Sequence, residues 1–590
     1  MARCARRTAG RTRRDVDAFQ TDPSLPMLPR SLLTAALLAA LLAVPPARAQ
    51  TDGLLDLDDE THRFLQSQRT KGHLPDAFLT HRPLSVYEAR RYLDTLAVRD
   101  SAASILTPAN RRQLARLRGE TARPGADWAR RTFSLYDNGR DLVSIEGDGY
   151  ALQLNPRYYG HLGPTLHGDA SGRFANDVAW RNTRGLRFSG HVGDHLFFES
   201  RLSENQWRPV WPAFANNTAP RVGHISFYDP GDPYNFFEAT GVVGLRSRHF
   251  EVRLGRARNH WGPGQGSVFL SDYGTVYDQA QIRATLGPLQ YSYLLTRFLD
   301  TETRAVASGP RRPSRYGVFH HLTLHATDAL TFDLYEGVIM GRDTTAGASN
   351  FDPAYLNPAV VFRPVERDLG SGGNALLGLG ASWRPLSGAS LYGQFVIDEL
   401  RVSEIGNQWW GNKWGWMLGL HVVEPGVPHL SARLEAARLR PYLYSHRTSA
   451  SAFTHMGDLV GHPAGPNSVD LSVFLNYEPP GPWRALLGAS WTVQGRNRVG
   501  ADGTVTANYG GDATVPSRPR ARRYGVSLLQ GIRRRHGVLD AALSYEVLPH
   551  LRVAGALRAE RLVDAERGTD YYLSPRLLLS WGLPFQQLRY

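Results

Sequence analysis

The sequence predicts an all-β protein: a transmembrane antiparallel β-barrel of about 18 strands with a small N-terminal periplasmic helical bundle. Three observations carry this. The first is the stretch from Tyr571 to Leu583, whose odd positions read Tyr, Leu, Pro, Leu, Leu, Trp, Leu and whose even positions read Tyr, Ser, Arg, Leu, Ser, Gly. Alternate side chains of a strand face opposite ways, so this segment has one apolar and one largely polar face. It is longer than the roughly 9–11 residues a tilted strand needs to cross a bilayer. Pro575 is the blemish, because proline is unwelcome inside a paired strand, and the aromatic Tyr590 that follows is what outer-membrane barrels lead one to expect.

The second observation is that the alternation recurs. Phe250, Val252 and Leu254 alternate with Glu251, Arg253 and Gly255. Leu551, Val553, Gly555, Leu557 and Ala559 alternate with Arg552, Ala554, Ala556, Arg558 and Glu560. A charged face toward a wet lumen and an apolar face toward lipid is the pattern of a membrane barrel. The third is the spacing of connections. Ala326–Ala329 is tight, whereas Gly495–Arg520 is long and polar, which matches short turns on one side and long loops on the other. From about Arg131 onward some 460 residues, at roughly 25 per strand and connection, give a count near 18, even as expected. A soluble sandwich also alternates, but sandwiches divide into domains well below this length.

The amino end sets the compartment. Met27-Leu-Pro-Arg is followed by an apolar run from Leu32 to Val44 and by Ala47-Arg48-Ala49 before Gln50. This is the form of a secretory signal peptide cleaved before Gln50, and the run is too short to span a membrane as a helix. The Arg-rich residues 1–26 fit poorly upstream, so Met27 is the expected start; Arg13-Arg14 lacks the setting of a twin-arginine signal. Removing 1–49 takes away eight Arg and three Asp and lowers the net charge from +14 to +9. It also removes Cys4, the sole cysteine, and with it disulfides, Cys-ligated zinc and Cys nucleophiles. Lysine occurs only at Lys71 and Lys413, so the positive charge is nearly all Arg. Arg suits bidentate contact with phosphate or carboxylate, which fits a lipopolysaccharide leaflet or an acidic polysaccharide, and equally fits the codon bias of a GC-rich genome. Export excludes nucleic acid as a partner.

Residues 50–130 read as the periplasmic helical unit and 131–590 as the outer-membrane barrel. A first helix is expected from Asp58 to Arg69, stopped at Gly72. Ser85-Val86-Tyr87-Glu88 is a capping box ahead of Ala89, Tyr92, Leu93 and Leu96 at helical spacing. Thr107-Pro108 offers an N-cap and a proline at the first helical position, with Leu114 and Leu117 beyond. Three short helices bury little alone, so the unit is expected to pack on the periplasmic mouth of the barrel.

No catalytic or metal constellation stands out, and no enzyme activity, metal or cofactor is expected. Gly262-Pro263-Gly264-Gln265-Gly266 lacks the spacing of a phosphate-binding fingerprint and reads as a tight loop. His321 and His325 share a strand face that His320 does not, which argues against a metal site. What remains are polar–aromatic clusters: Asn259-His260-Trp261, Tyr355-Leu356-Asn357-Pro358, Asp398-Glu399, Asn412-Lys413-Trp414-Gly415-Trp416, and His455 with His462-Pro463. Aromatic faces beside Asn, Asp, Glu and His can stack on sugar rings and hydrogen-bond their hydroxyls. The same residues also suit an aromatic girdle at the membrane interfaces and polar networks filling a lumen. The candidate polysaccharide contacts are Asn259, His260, Trp261, Tyr355, Asn357, Asp398, Glu399, Asn412, Trp414, Trp416 and His462. A diffusion porin is the alternative, since Arg and Glu in a lumen suit a channel.

These clusters carry a resemblance. Gly255-Arg256-Ala257-Arg258-Asn259-His260-Trp261-Gly262-Pro263-Gly264, with Leu270-Ser271-Asp272, is similar to the Wzi capsule-assembly family of outer-membrane proteins. So are Tyr355-Leu356-Asn357-Pro358, Asp398-Glu399, Asn412-Lys413-Trp414-Gly415, Arg440-Pro441-Tyr442, and Gly461-His462-Pro463 with Gly465-Pro466-Asn467. Gly72, Leu74-Pro75 and Arg82-Pro83-Leu84 resemble the family's helical region. The resemblance implies an 18-stranded barrel with a periplasmic helical bundle and a lectin-like role at the cell surface. That role is to bind capsular or exopolysaccharide, attaching or organising it there. Polysaccharide export machinery is then an implied partner. After about residue 480 the barrel pattern continues without a family motif.

Overall fold

The computed structural model describes residues 53–120, 123, 125–168, 174–209, 233–300, 304–306, 309–311, 313–341, 351–359, 361–362, 364–365 and 373–583. The expected signal peptide, its start at Met27, and Tyr590 lie outside the described residues.

Among the described residues, four helices come first. α1 (Glu60–Lys71) begins where the Asp59 side chain accepts from the Thr61 N–H and ends at Gly72, whose φ of 89° suits a residue without Cβ. α2 (Val86–Ala103) opens on Ser85, which accepts from the Glu88 N–H as the capping box requires. α3 (Pro108–Arg118) is capped by Thr107 with Pro108 in its first turn. α4 (Ala126–Phe133) runs from the expected helical unit across residue 131, where the sequence reading expects strand pattern to begin. At eight residues it is too short for periodicity to reveal. The first three share a small core that includes Phe64, Leu65, Tyr92, Leu96 and Leu114.

Eighteen antiparallel strands then close a barrel. They are β1 (Tyr150–Gly168), β2 (Phe174–Val192), β3 (Leu196–Arg208), β4 (Tyr234–Arg246), β5 (Phe250–Ala257) and β6 (Tyr277–Leu286). Next come β7 (Leu289–Leu299), β8 (Ser314–His325), β9 (Leu330–Met340), β10 (Asn374–Leu386), β11 (Ala389–Glu399) and β12 (Lys413–Val423). The last six are β13 (Leu430–Leu439), β14 (Ser468–Tyr477), β15 (Trp483–Arg496), β16 (Ile532–Leu548), β17 (Leu551–Asp564) and β18 (Gly568–Trp581). Each strand pairs with the next, and β18 returns to β1 with Leu577 opposite Leu162. Pro575 sits where the pairs of that seam are interrupted. Gly163 faces it across the gap, and a Cβ there would stand 1.9 Å from the Pro575 carbonyl oxygen. A short strand, Val143–Gly147, pairs with the first residues of β1.

Connections such as Gly193–His195, Ser387–Gly388 and Pro549–His550 are short and share one end of the barrel, whereas 258–276, 400–412, 440–467 and 497–531 are long and share the other. The helices pack on the short-turn end through ion pairs: Arg63 with Glu478 at 2.6 Å, Lys71 with Glu424 at 2.7 Å, and Arg123 with Glu546 at 3.1 Å.

The alternation read from the sequence is the alternation of the wall. On β18, Tyr571, Leu573, Leu577 and Leu579 face outward and are exposed, while Ser574, Arg576 and Ser580 face inward and are buried. Leu577 is 66% exposed, so this face meets lipid. Leu577→Arg is therefore expected to cost about 2–4 kcal/mol, the price of Arg near a bilayer midplane. The check is the denaturant midpoint in lipid vesicles; an unshifted midpoint would place this face away from hydrocarbon.

Candidate functional site

The lumen is filled from both ends. Residues 258–276 leave β5 and fold into the barrel. There the strand pair His81–Arg82, between α1 and α2, meets them, with His81 opposite Trp261 and Arg82 opposite His260. The Gly262 N–H donates to the Thr80 carbonyl at 2.6 Å, and the Trp261 N–H to Leu270 at 2.8 Å. Around this junction lies an apolar core inside the barrel. Trp261, Phe269, Phe298, Phe319, Ile339 and Val396 are among its fully buried members. The Trp261 ring is nearly parallel to Phe269 at 6.2 Å and lies 5.1 Å from His321. Inward side chains of β6 to β13 complete the core, so this half of the lumen is packed like a domain interior.

The Gly262–Gly266 loop is the hinge of that packing. Its Gln265 and Gly266 N–H groups donate to the two oxygens of the Glu435 carboxylate at 2.6 and 2.9 Å. The Tyr392 hydroxyl donates to the same group at 2.6 Å. Arg433 donates to the Pro263 carbonyl and Arg82 to the Gly264 carbonyl. Successive N–H groups around a carboxylate form an anion nest, and here the anion is the protein's own. Glycine is required at Gly262, where φ is 132° and a Cβ would come within 2.4 Å of Gln394 Nε2.

The sequence-predicted residues fall into three places. Asn259, His260, Trp261 and His462 are buried in the lumen. Asn259 donates to the Tyr277 hydroxyl at 3.1 Å, His260 Nδ1 is 3.1 Å from Asp272, and His462 Nδ1 accepts from the Ala464 N–H. Asp398, Glu399 and Asn412 stand at the long-loop rim. Lys413, itself fully buried, lies 3.4 Å from Asp398 and 3.3 Å from Glu399, and Asn412 clasps both backbone groups of Arg401. The others are outside the wall. Lys413, Gly415 and Met417 point inward, so Trp414 and Trp416 face outward, Trp414 beside Phe395 with Arg438 and Arg440 over its ring. Tyr355, in a short 3-10 turn (Pro353–Leu356), packs on the outer faces of β7 to β10 against Tyr293, Val318, Val338 and Ala375. Asn357 is exposed beside it, its side chain accepting from the Ala359 N–H.

Above the packed lumen the long connections interlock into a cap. Trp410 donates its N–H to the Arg523 carbonyl, Val526 to Gln408, and Tyr442 to Gly510. The rim this creates carries residues that the motif reading passes over. The Arg520 guanidinium lies 3.7 Å from the Trp410 ring centroid, Arg401 4.8 Å from Trp409, and Arg523 5.6 Å from Tyr524. The signal was present in the Trp409-Trp410 dipeptide and in the Arg-rich run Arg518, Arg520, Arg522, Arg523.

The rest of the lumen is polar. Arg157, His161, Arg576, Arg558 and Glu560 line its wall. A cavity of about 1060 Å³ lies between the helices and this wall, lined by Arg63, Arg187, Arg484, Arg552, Asp56 and Glu478 among others.

No protein-family model matches the chain, and no curated protein matches it in sequence. Among solved structures it is similar in fold to Wzi of Escherichia coli. That protein is described as an outer-membrane protein involved in group 1 capsule assembly and a carbohydrate-binding β-barrel. Identity is 14%, the alignment covers 91% of this chain and 100% of that one, and the TM-score is 0.52. It also aligns with Pseudomonas aeruginosa OprD at 10% identity, over 73% of this chain and 96% of that one, with a TM-score of 0.35. With P. aeruginosa OccD3 the identity is 11%, the coverage 75% and 96%, and the TM-score 0.39.

Proposed function

We propose that this barrel sits in the outer membrane of a Gram-negative bacterium and holds a surface polysaccharide at its long-loop mouth. Outer-membrane barrels carry long loops outside, which assigns the cap to the cell exterior and the helical unit, residues 50–130, to the periplasm. The observation that carries the reading is the apolar core inside β6 to β13: it gives that half of the mouth a floor rather than an entrance. The description of the E. coli fold relative as carbohydrate-binding supports the same reading. Lipopolysaccharide surrounds the wall, polysaccharide export machinery is the partner that delivers polymer, and no step of chemistry is required.

The sequence-predicted residues divide by role in this reading. Glu399 and Asn357 reach solvent. Asn259, His260, Trp261, Asp398, Asn412 and His462 hold the floor and rim in place, Tyr355 seals the outer wall, and Trp414 and Trp416 anchor the barrel at the interface. Single contacts with sugars are weak, and a repeating polymer multiplies them.

Deleting the gene is expected to shift polysaccharide from cell-bound to shed at unchanged total synthesis. An unchanged ratio would sink the anchoring role. The second reading, a diffusion porin, draws on the charged sector and its cavity. It requires steady single-channel conductance from the full chain in planar bilayers.

A further inference from the structure

One group of arginines at the cap differs from those at the helical end and from cap neighbours such as Arg498, which lies 3.5 Å from Glu566. At the helical end the arginines are matched to carboxylates: Arg63 to Glu478, Arg123 and Arg552 to Glu546, and Arg116 and Arg484 to Glu60. At the cap, Arg401, Arg518, Arg520, Arg522 and Arg523 form no ion pair among the described residues. The nearby acids are already engaged. Glu404 accepts from Tyr524 and Asn407, Asp502 and Asp512 close turns on Thr504 and Thr514, and Glu399 lies against Lys413. Burial, and after it the neighbouring Arg518, hold the Arg520 pKa below its usual value.

Two donors point the same way. Arg520 Nη2 and Trp409 Nε1 are both buried and have no hydrogen-bond partner among the described residues. A buried donor without a partner costs about 1–3 kcal/mol, a cost that a bound acceptor removes. A guanidinium laid on an aromatic face keeps its N–H groups at the edge. Arg520 Nε donates to the Ser517 carbonyl at 3.3 Å, and the remaining N–H groups of Arg401, Arg520 and Arg523 can donate to a carboxylate. The exposed Tyr524 ring and the half-buried Trp409 offer stacking area for the sugar that bears it, while the buried Trp410 holds Arg520 in place.

We infer that the polymer taken by this mouth is acidic, and that Arg401, Arg520 and Arg523, held on Trp409, Trp410 and Tyr524, receive its carboxylates. This rests on the reading of the mouth as a polysaccharide site. Lipid phosphate is a poorer fit, because these groups lie on loops that cover the lumen rather than on the outer wall where Trp414 sits.

The test uses the full chain in detergent micelles and surface polysaccharide extracted from the source organism, native or with its carboxyl groups chemically reduced. Native polymer is expected to bind, and reduced polymer to bind at least about tenfold more weakly, the equivalent of one charge-assisted contact. The R401Q/R523Q double variant changes two exposed side chains and leaves the floor intact. It is expected to lose a similar factor for native polymer only, and R520Q likewise. Equal binding of native and reduced polymer, or an extracted polymer without acidic sugars that still binds, overturns the acidic class and leaves the mouth a polysaccharide site. Discrimination that survives all three Arg changes overturns the residue assignment. Binding of neither polymer removes the reading beneath both.

Discussion

Lys413→Met is expected to lower the unfolding free energy of the barrel by about 3–5 kcal/mol, the cost of breaking a buried ion pair from one side. Both Lys413 and Asp398 have fully buried side chains. The ammonium also donates to the Ser445 carbonyl at 2.9 Å, so it ties β11 and β12 to the 440–467 connection. Removing it strands the Asp398 carboxylate, which accepts from the Tyr444 N–H at 3.0 Å and has no route to water. The double variant K413M/D398N should recover most of the loss, because Asn still accepts from Tyr444 and no charge is left behind. Denaturant midpoints of the two variants decide the matter. If the double variant is no more stable than the single one, the pair is not coupled. Lys413→Arg should also be costly, since the planar fork does not fit a point-charge site.

Glu435→Ala is the second large effect. Three donors, the N–H groups of Gln265 and Gly266 and the Tyr392 hydroxyl, lose their acceptor together. At roughly 1–3 kcal/mol for each buried donor left unmade, the sum is about 3 kcal/mol or more. Because the affected loop lies inside the barrel, the loss should also appear as ion flow. Wild-type chain is expected to be nearly silent in planar bilayers, and E435A to show frequent openings. Glu435→Gln, which keeps one acceptor, should fall between them. A destabilised variant that stays silent would mean that something other than this loop closes the lumen.

How much of this was legible follows from which environment imposed the pattern. Lipid demands one apolar face over the whole height of the wall, so Leu573, Leu577 and Leu579 announce themselves against Ser574, Arg576 and Ser580. The helix starts were legible for a similar reason, because Ser85 and Thr107 satisfy local backbone groups. The lumen imposes no single pattern. Trp261 is apolar and inward, Glu435 is charged and inward, and only their partners from distant strands explain either. Parity within β12 did separate Lys413 from Trp414 and Trp416, yet a cluster read as one unit hides it. The outward Glu336 breaks the wall's alternation, and its explanation is a segment dozens of residues away in sequence: the Phe362 N–H donates to it at 2.9 Å. No spacing rule places Tyr355 and Phe362 on the outside of a barrel.

The hydrogen bonds inside the barrel also form a route for tension. From Thr80 they run to Gly262, from Trp261 to Leu270, and from Ser271 to Val460. They continue from Val460 to Phe453, from Phe453 to Tyr444, and from Tyr442 to Gly510 in the cap. On the proposed function, a polymer held at the long-loop mouth and pulled by flow would draw on this chain as well as on the wall. Part of the drag would pass through the middle of the barrel to the residues between α1 and α2, and the strands beside the lipid would be spared that share of shear.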